Sequence, residues 1–238
     1  MIDRLTRWWR PHIELVPGLE ARLRAWRHRP AVDEDVLLAD ARLVVVDVET
    51  TGLNVRRDRL LSIGAVAVDA GRLNPADGFS AVLKGVERAE RENVVIHGIG
   101  PEARQAGTEP AEALVAFLEY AGKQPLVAYH APFDRAMLER ALRETLGARL
   151  PNPWLDLAWL APALVPDAQR SQAGLDAWLE RFGLRAQERH RAAADAFVSA
   201  ELLLILLARA RARGVVTVRA LRAMAERHAG TAPRGAGW

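Results

Sequence analysis

An α/β fold, a mixed sheet with helices on its faces, is predicted by three features of the sequence. Apolar runs rich in β-branched residues follow one another through short polar links between about residues 42 and 83. Stripes at helical spacing then alternate with short apolar runs as far as residue 208. The first run, Leu43-Val44-Val45-Val46-Asp47-Val48-Glu49, reads as a strand buried on both faces that carries two carboxylates where it ends.

The 238 residues fit one domain with extensions. An Arg/Trp-rich segment covers 1–36, the domain 37–210, and a basic helix with a flexible tail 211–238. Half the residues are hydrophobic, enough for a sizeable core. The absence of cysteine excludes disulfides, thiolate metal sites and a Cys nucleophile. No apolar run reaches the roughly 20 residues that span a bilayer, and no signal peptide is recognisable. A cytoplasmic location is expected. The net charge of +3 is unevenly spread: residues 1–30 carry +4, residues 205–238 carry +6, and the middle is acidic. Basic ends suit a polyanion held near a cation-loaded centre; solvated arginines from a compositional bias explain them equally.

In chain order, Trp8-Trp9-Arg10-Pro11 stops any first helix. Leu19, Leu23 and Trp26 share one helical face. That segment reads either as a helix packed on the domain or as an interfacial or nucleic-acid-contacting element. Strands are expected at Arg42–Val48, Leu60–Val68 and Phe79–Leu83, with a turn at Asp69-Ala70-Gly71. Short links make the three an antiparallel meander. Leu114, Phe117, Leu118 and Ala121 form a helical stripe stopped by Gly122, and Leu126–Tyr129 is a short buried strand. Phe133, Met137, Leu138, Ala141 and Leu142 form the next stripe, stopped by Gly147. Trp154-Leu155-Asp156-Leu157 reads as an edge strand running into a helix. Leu175, Trp178, Leu179 and Phe182 end at Gly183; Ala193, Phe197, Ala200, Leu204 and Leu207 make the last long stripe. A further helix is expected within 215–228.

The chemistry begins at Asp47 and Glu49. Strand side chains alternate, so these two acids point to one side and Val44, Val46 and Val48 to the other. Adjacent carboxylates repel, and a divalent cation removes that cost. Thr50-Thr51-Gly52 opens a turn that brings backbone N–H groups close to a ligand. Asp134, in Tyr129-His130-Ala131-Pro132-Phe133-Asp134, falls in a first helical turn near the positive end of its dipole. His190 and Asp195 are five residues apart, about 140° if both were helical. His190 is therefore placed on the loop before the helix, with Asp195 on the helix facing inward.

Asp47-Val-Glu49-Thr-Thr-Gly52, Phe133-Asp134, and His190 with Asp195 resemble the three motifs of the DEDDh, or DnaQ-like, 3′–5′ exonucleases. That family includes the proofreading epsilon subunit of bacterial DNA polymerase III, RNase T and oligoribonuclease. Ile96-His97-Gly98-Ile99, Leu175–Leu179 and Phe182-Gly183-Leu184 extend the resemblance, which covers about residues 41–209. It implies a ribonuclease H-like fold with five strands.

It further implies that Asp47, Glu49, Asp134 and Asp195 hold two Mg²⁺ or Mn²⁺ ions about 3.5–4 Å apart. His190 is then the general base, and the products are nucleoside 5′-monophosphates. Thr50, Thr51, Gly52 and Leu53 meet the terminal nucleotide, with Leu53 either wedged against the last base or packed under the turn. His97, His130 and Phe133 line the pocket, although Phe133 fits the core equally. His130 stands where the family usually has Asn. The implied partner is a single-stranded or frayed 3′ end, with a DNA polymerase as a further candidate. DNA is the leading substrate; RNA trimming, a non-catalytic module that binds nucleic-acid ends, or a membrane or partner role for the N-terminal segment are the alternatives.

Overall fold

A computed structural model describes residues 14–85, 98–165, 174–185 and 190–231. The elements are α1 (Pro17–Arg27), β1 (Arg42–Thr50), β2 (Leu60–Asp69), β3 (Arg72–Val82), α2 (Pro101–Gln105), α3 (Pro110–Ala121), β4 (Leu126–Ala128), α4 (Ala131–Leu146), β5 (Trp154–Asp156), α5 (Leu157–Leu164), α6 (Leu175–Phe182), α7 (Ala192–Ala212) and α8 (Val218–Thr231). The sheet order is β3-β2-β1-β4-β5. β1, β2 and β3 pair antiparallel, and β4 and β5 run parallel to β1. This is the mixed five-stranded sheet of the ribonuclease H-like class.

Alternation along β1 builds two cores. Leu43 and Val45 face one layer, with α5, α6, α7 and α8; Val44, Val46 and Val48 face the other, with α1, α3 and α4. Between β2 and β3 the turn is the expected one, with Ala70 at φ 50° and Gly71 at φ 70°. Positive φ at both central residues matches the twist of a two-residue hairpin. Gly147 and Gly183 end α4 and α6 in left-handed conformation, as the stripes imply.

Two expectations need correction. β3 starts at Arg72, seven residues before Phe79. Asn74, Pro75, Asp77 and Gly78 disguise it, because turn-forming residues are tolerated at a sheet edge where one side of the ladder is open. The pairing also slips between Val66 and Val68, close to Pro75 and Gly78. The buried face of α7 is the second correction. Ala200 and Leu207 are buried as expected and Phe197 and Leu204 pack partly buried against the core, but Ala193 is exposed, and Ala192, Ala196, Val198, Leu202, Leu203 and Leu206 are enclosed as well. A helix held between a sheet on one side and α5 and α6 on the other is apolar on more than one stripe, so a single periodicity does not reveal its orientation.

Both chain ends are built into the fold where they are described. α1 lies on α3: Leu23 and Trp26 are buried, Trp26 Nε1 donates to Gly122 O at 2.9 Å, and Arg22 pairs with Glu112 and Glu119. Residues 33–38 run beside 216–219, with Leu38 N donating to Val216 O at 2.7 Å and Arg219 to Asp35 Oδ1 at 2.6 Å. Several arginines that looked like a polyanion surface are thus engaged by acids of the chain itself. Trp8–Pro11 and the tail beyond 231 lie outside the described residues. Among those described, no helix is long and apolar enough to cross a membrane.

Candidate active site

The site forms at the C-terminal edge of β1. Asp47 and Glu49 share the face of Leu43 and Val45, which is the α7 side of the sheet. Asp195 stands in the first turn of α7 and is buried. One carboxylate oxygen from each of Asp47, Glu49 and Asp195 lies within 4.8 Å of the other two. The approach of α7 depends on Gly64. Gly64 is the register partner of Asp47 on β2, and a Cβ added there would fall 2.1 Å from the Ala192 carbonyl carbon. Only a residue without a side chain lets the start of α7 descend so far.

Asp134 comes from the other side. β4 ends at Ala128, level with Val46, so past that point β1 has no neighbouring strand there. The first turn of α4 takes the place of one, and the Val48 N–H donates to Asp134 Oδ1 at 3.1 Å. Asp134 is thereby fixed to the residue between Asp47 and Glu49, although it is not one of the three mutually close carboxylates. Burial raises its carboxyl well above the usual range, and the nearby charges of Asp156 and Glu49 push the same way. The N–H bonds oppose this without overcoming it.

His190 occupies the turn before α7, as expected. Its φ is 63°, it is exposed, and its N–H donates to Asp195 Oδ2 at 2.9 Å. The backbone of the candidate base thus orients one of the candidate ligands. His130 has the same left-handed φ of 63° and is the N-cap of α4. Histidine, like asparagine, is enriched in this conformation, which accounts for its acceptance here. Burial lowers its pKa, so the ring is neutral near pH 7.

Thr50 is buried, with its Oγ1 donating to Gly52 O at 2.7 Å, and Thr51 is half-buried. Leu53 is 85 % exposed, which removes the reading that it packs under the turn. Phe133 is half-buried against the α3–α4 core, a core contact at least in part. His97 lies outside the described residues; of its motif, Gly98 has φ 66° and Ile99 is buried.

Three residues escaped the sequence reading. Gly64 sits within an apolar strand pattern, and its isolation there was the available signal. Asp58 closes the turn after β1 through Thr51 Oγ1 at 3.1 Å and the Asn54 N–H at 2.7 Å. Asp156 accepts the N–H of His130 at 3.0 Å and that of Ala158 at 2.9 Å, tying the corner before α4 to the start of α5.

Clustered carboxylates from a strand and a facing helix, with a further one raised by burial, suit hard divalent cations with oxygen ligands. Residues 44–203 match the RNase_T family model, described as exonuclease. The chain is 31 % identical over 173 residues to a DNA polymerase III PolC-type protein of Thermotoga maritima, covering 73 % of this chain and 12 % of that protein. It is 35 % identical over 191 residues to a DNA polymerase III subunit epsilon-like protein of Rhodobacter capsulatus, covering 78 % of this chain and 26 % of that one. The chain therefore spans only a minor part of either relative. In fold it resembles E. coli exonuclease I in complex with a dT13 oligonucleotide, with a TM-score of 0.61 and 17 % identity over 74 % of this chain and 43 % of that one. Exonuclease X in complex with 5′ overhanging duplex DNA superposes with a TM-score of 0.58 and 22 % identity, over 77 % and 99 % respectively.

Proposed function

Since the chain belongs to the RNase_T exonuclease family, we propose that it removes nucleoside 5′-monophosphates one at a time from DNA 3′ ends. The convergence of Asp47, Glu49 and Asp195 within 4.8 Å carries this reading. These three, with Asp134 beside them, would hold two Mg²⁺ or Mn²⁺ ions. When bound, such ions acidify a water and neutralise charge on the phosphate.

The chain's own groups do the rest. Asp195 fixes the turn that carries His190, and the exposed ring accepts the proton of the attacking water at a nitrogen. Asp134, held by Val48, sets the position of α4 against β1. The Thr50–Leu53 backbone meets the terminal nucleotide, and Leu53 presents an apolar side chain to its base. Phe133 and His130 complete the wall around it. The names of the relatives support a place beside a DNA polymerase, and the titles of the two structural neighbours, one an oligonucleotide complex and one a duplex with a 5′ overhang, support a DNA end as substrate.

Digestion of 3′-labelled DNA and RNA oligomers, single- and double-stranded, with Mg²⁺, Mn²⁺ or a chelator tests the proposal. Metal-dependent release of mononucleotides from DNA 3′ ends is the expected result. Faster trimming of RNA would move the assignment to RNA, and intact substrates with every ion would overturn it.

A further inference from the structure

At 85 % exposure, Leu53 is not positioned by packing of its own side chain. Its place is set by the backbone of the turn from Thr50 to Arg59. That turn is braced from within by one carboxylate. Asp58 accepts from Thr51 Oγ1 and from the Asn54 N–H through different oxygens, at 3.1 and 2.7 Å. Thr51 in turn accepts the Arg59 N–H at 2.9 Å, and its own N–H donates to Arg59 O at 2.9 Å. The carboxylate lies so close to Gly52 that an added Cβ would be 2.6 Å from Asp58 Oδ2. The brace therefore runs directly beneath the residues assigned to the terminal nucleotide.

A second link ties the turn to the rest of the site. One nitrogen of Arg140, on α4, donates to Val55 O at 2.9 Å and to Asp58 O at 3.0 Å. Its Nε pairs with Glu144 at 2.9 Å, one helical turn on, which fixes the guanidinium plane. α4 also carries Asp134, six residues before Arg140. The same rigid helix thus holds both a candidate ligand beside β1 and the turn that follows β1.

We infer that Asp58 and Arg140 are positioning residues for the 3′-terminal nucleotide. They touch neither metal nor the scissile phosphate. They hold Thr51, Gly52 and Leu53 where an end can dock without first ordering the turn, so the binding step does not bear that entropy. This rests on the exonuclease reading above. It predicts loss of substrate binding with little change in the chemical step.

The test compares Asp58→Ala, Asp58→Asn and Arg140→Met with the unaltered protein. Steady-state cleavage of a 3′-labelled single-stranded DNA is read alongside hydrogen–deuterium exchange without metal or DNA. Asp58→Ala and Arg140→Met should each raise KM about tenfold, as two lost hydrogen bonds imply. They should leave kcat within about threefold. Asp58→Asn keeps the shape and the acceptor for the Asn54 N–H, with its amide N–H donating to Thr51 Oγ1 in place of the reverse, and should largely restore KM. Exchange at residues 52–58 should quicken in the first two variants while residues 131–146 stay protected, which shows that the domain remains folded. An unchanged KM in Asp58→Ala, a loss confined to kcat, or failure of Asp58→Asn to rescue would overturn the inference. Should the unaltered protein leave all oligomers intact, the exonuclease reading fails, and exchange then decides alone. Unaltered exchange at 52–58 would overturn the bracing role; faster exchange would uphold it.

Discussion

Gly64 and Ala192 approach more closely than any side chain allows: a Cβ on Gly64 would stand 2.1 Å from the Ala192 carbonyl carbon. Because Gly64 pairs with Asp47 across the sheet, the contact sets the height of α7 above the acidic edge of β1. Gly64→Ala should therefore push the start of α7 outward and carry Asp195 with it. Overpacking of this kind costs about 1–3 kcal/mol. Chemical denaturation should show that loss, and metal titration a weaker affinity. Wild-type affinity in a stable Gly64→Ala protein would contradict the role given to this contact.

Asp47→Asn should abolish cleavage without unfolding the chain. Three carboxylates within 4.8 Å repel one another when no cation is bound, so removing one charge should leave metal-free thermal stability equal or higher. Mg²⁺ at about a hundred times its Kd should stabilise the unaltered protein by roughly 2.7 kcal/mol, and a chelator should remove that gain. The variant should show almost none of it. Thermal melts with and without the ion make the comparison.

His190 combines a chemical role with a backbone one. Its φ of 63° is a conformation most side chains reach only at a cost of about 1–2 kcal/mol, which asparagine largely escapes. His190→Asn should keep the turn and the N–H bond to Asp195 while lowering kcat by about 10²–10⁴. DNA affinity measured in Ca²⁺ should stay near wild type. A variant that loses affinity and rate in equal measure would argue against proton transfer.

The Arg42–Asp77 pair predicts an acid limb in the stability profile. A hydrogen bond from Arg42 at 2.5 Å holds the Asp77 carboxyl below its ordinary value. A depressed carboxylate contributes stability that is present above its unfolded pKa and is lost as pH falls through the folded one. The difference in urea midpoint between the unaltered protein and Asp77→Asn should be largest near pH 7 and shrink below about pH 3.8, the unperturbed value. A difference that grows in acid would reverse the assignment.

Much of the fold was legible because its elements obey simple periods. The Val44–Val48 alternation, the Gly147 and Gly183 stops and the Ala70-Gly71 turn each carry local physics that tertiary structure left in place. β3 was only half visible, since an edge strand can hold Pro75 and Gly78 without losing its inner ladder. The stripe on α7 misled for the opposite reason: enclosure on two sides removes the contrast that periodicity needs. At the site, Asp47, Glu49 and Asp195 were readable as acids at element ends. Asp58, Gly64 and Asp156 were not. Their roles lie in contacts to residues distant in sequence or to backbone groups, and neither residue type nor spacing announces such contacts.

The strict two-residue rhythm of β1 has a genetic corollary. Asp47 and Glu49 belong to one side of the sheet only because an even number of positions separates them from Leu43 and Val45. One inserted or deleted codon among residues 43–46 would invert that frame. It would drive both acids into the apolar layer of α3 and α4 and turn valines toward Asp195. A codon gained in the exposed stretch at 28–31 would leave the frame intact. In this protein, length changes within β1 should be harder to survive than any single substitution there.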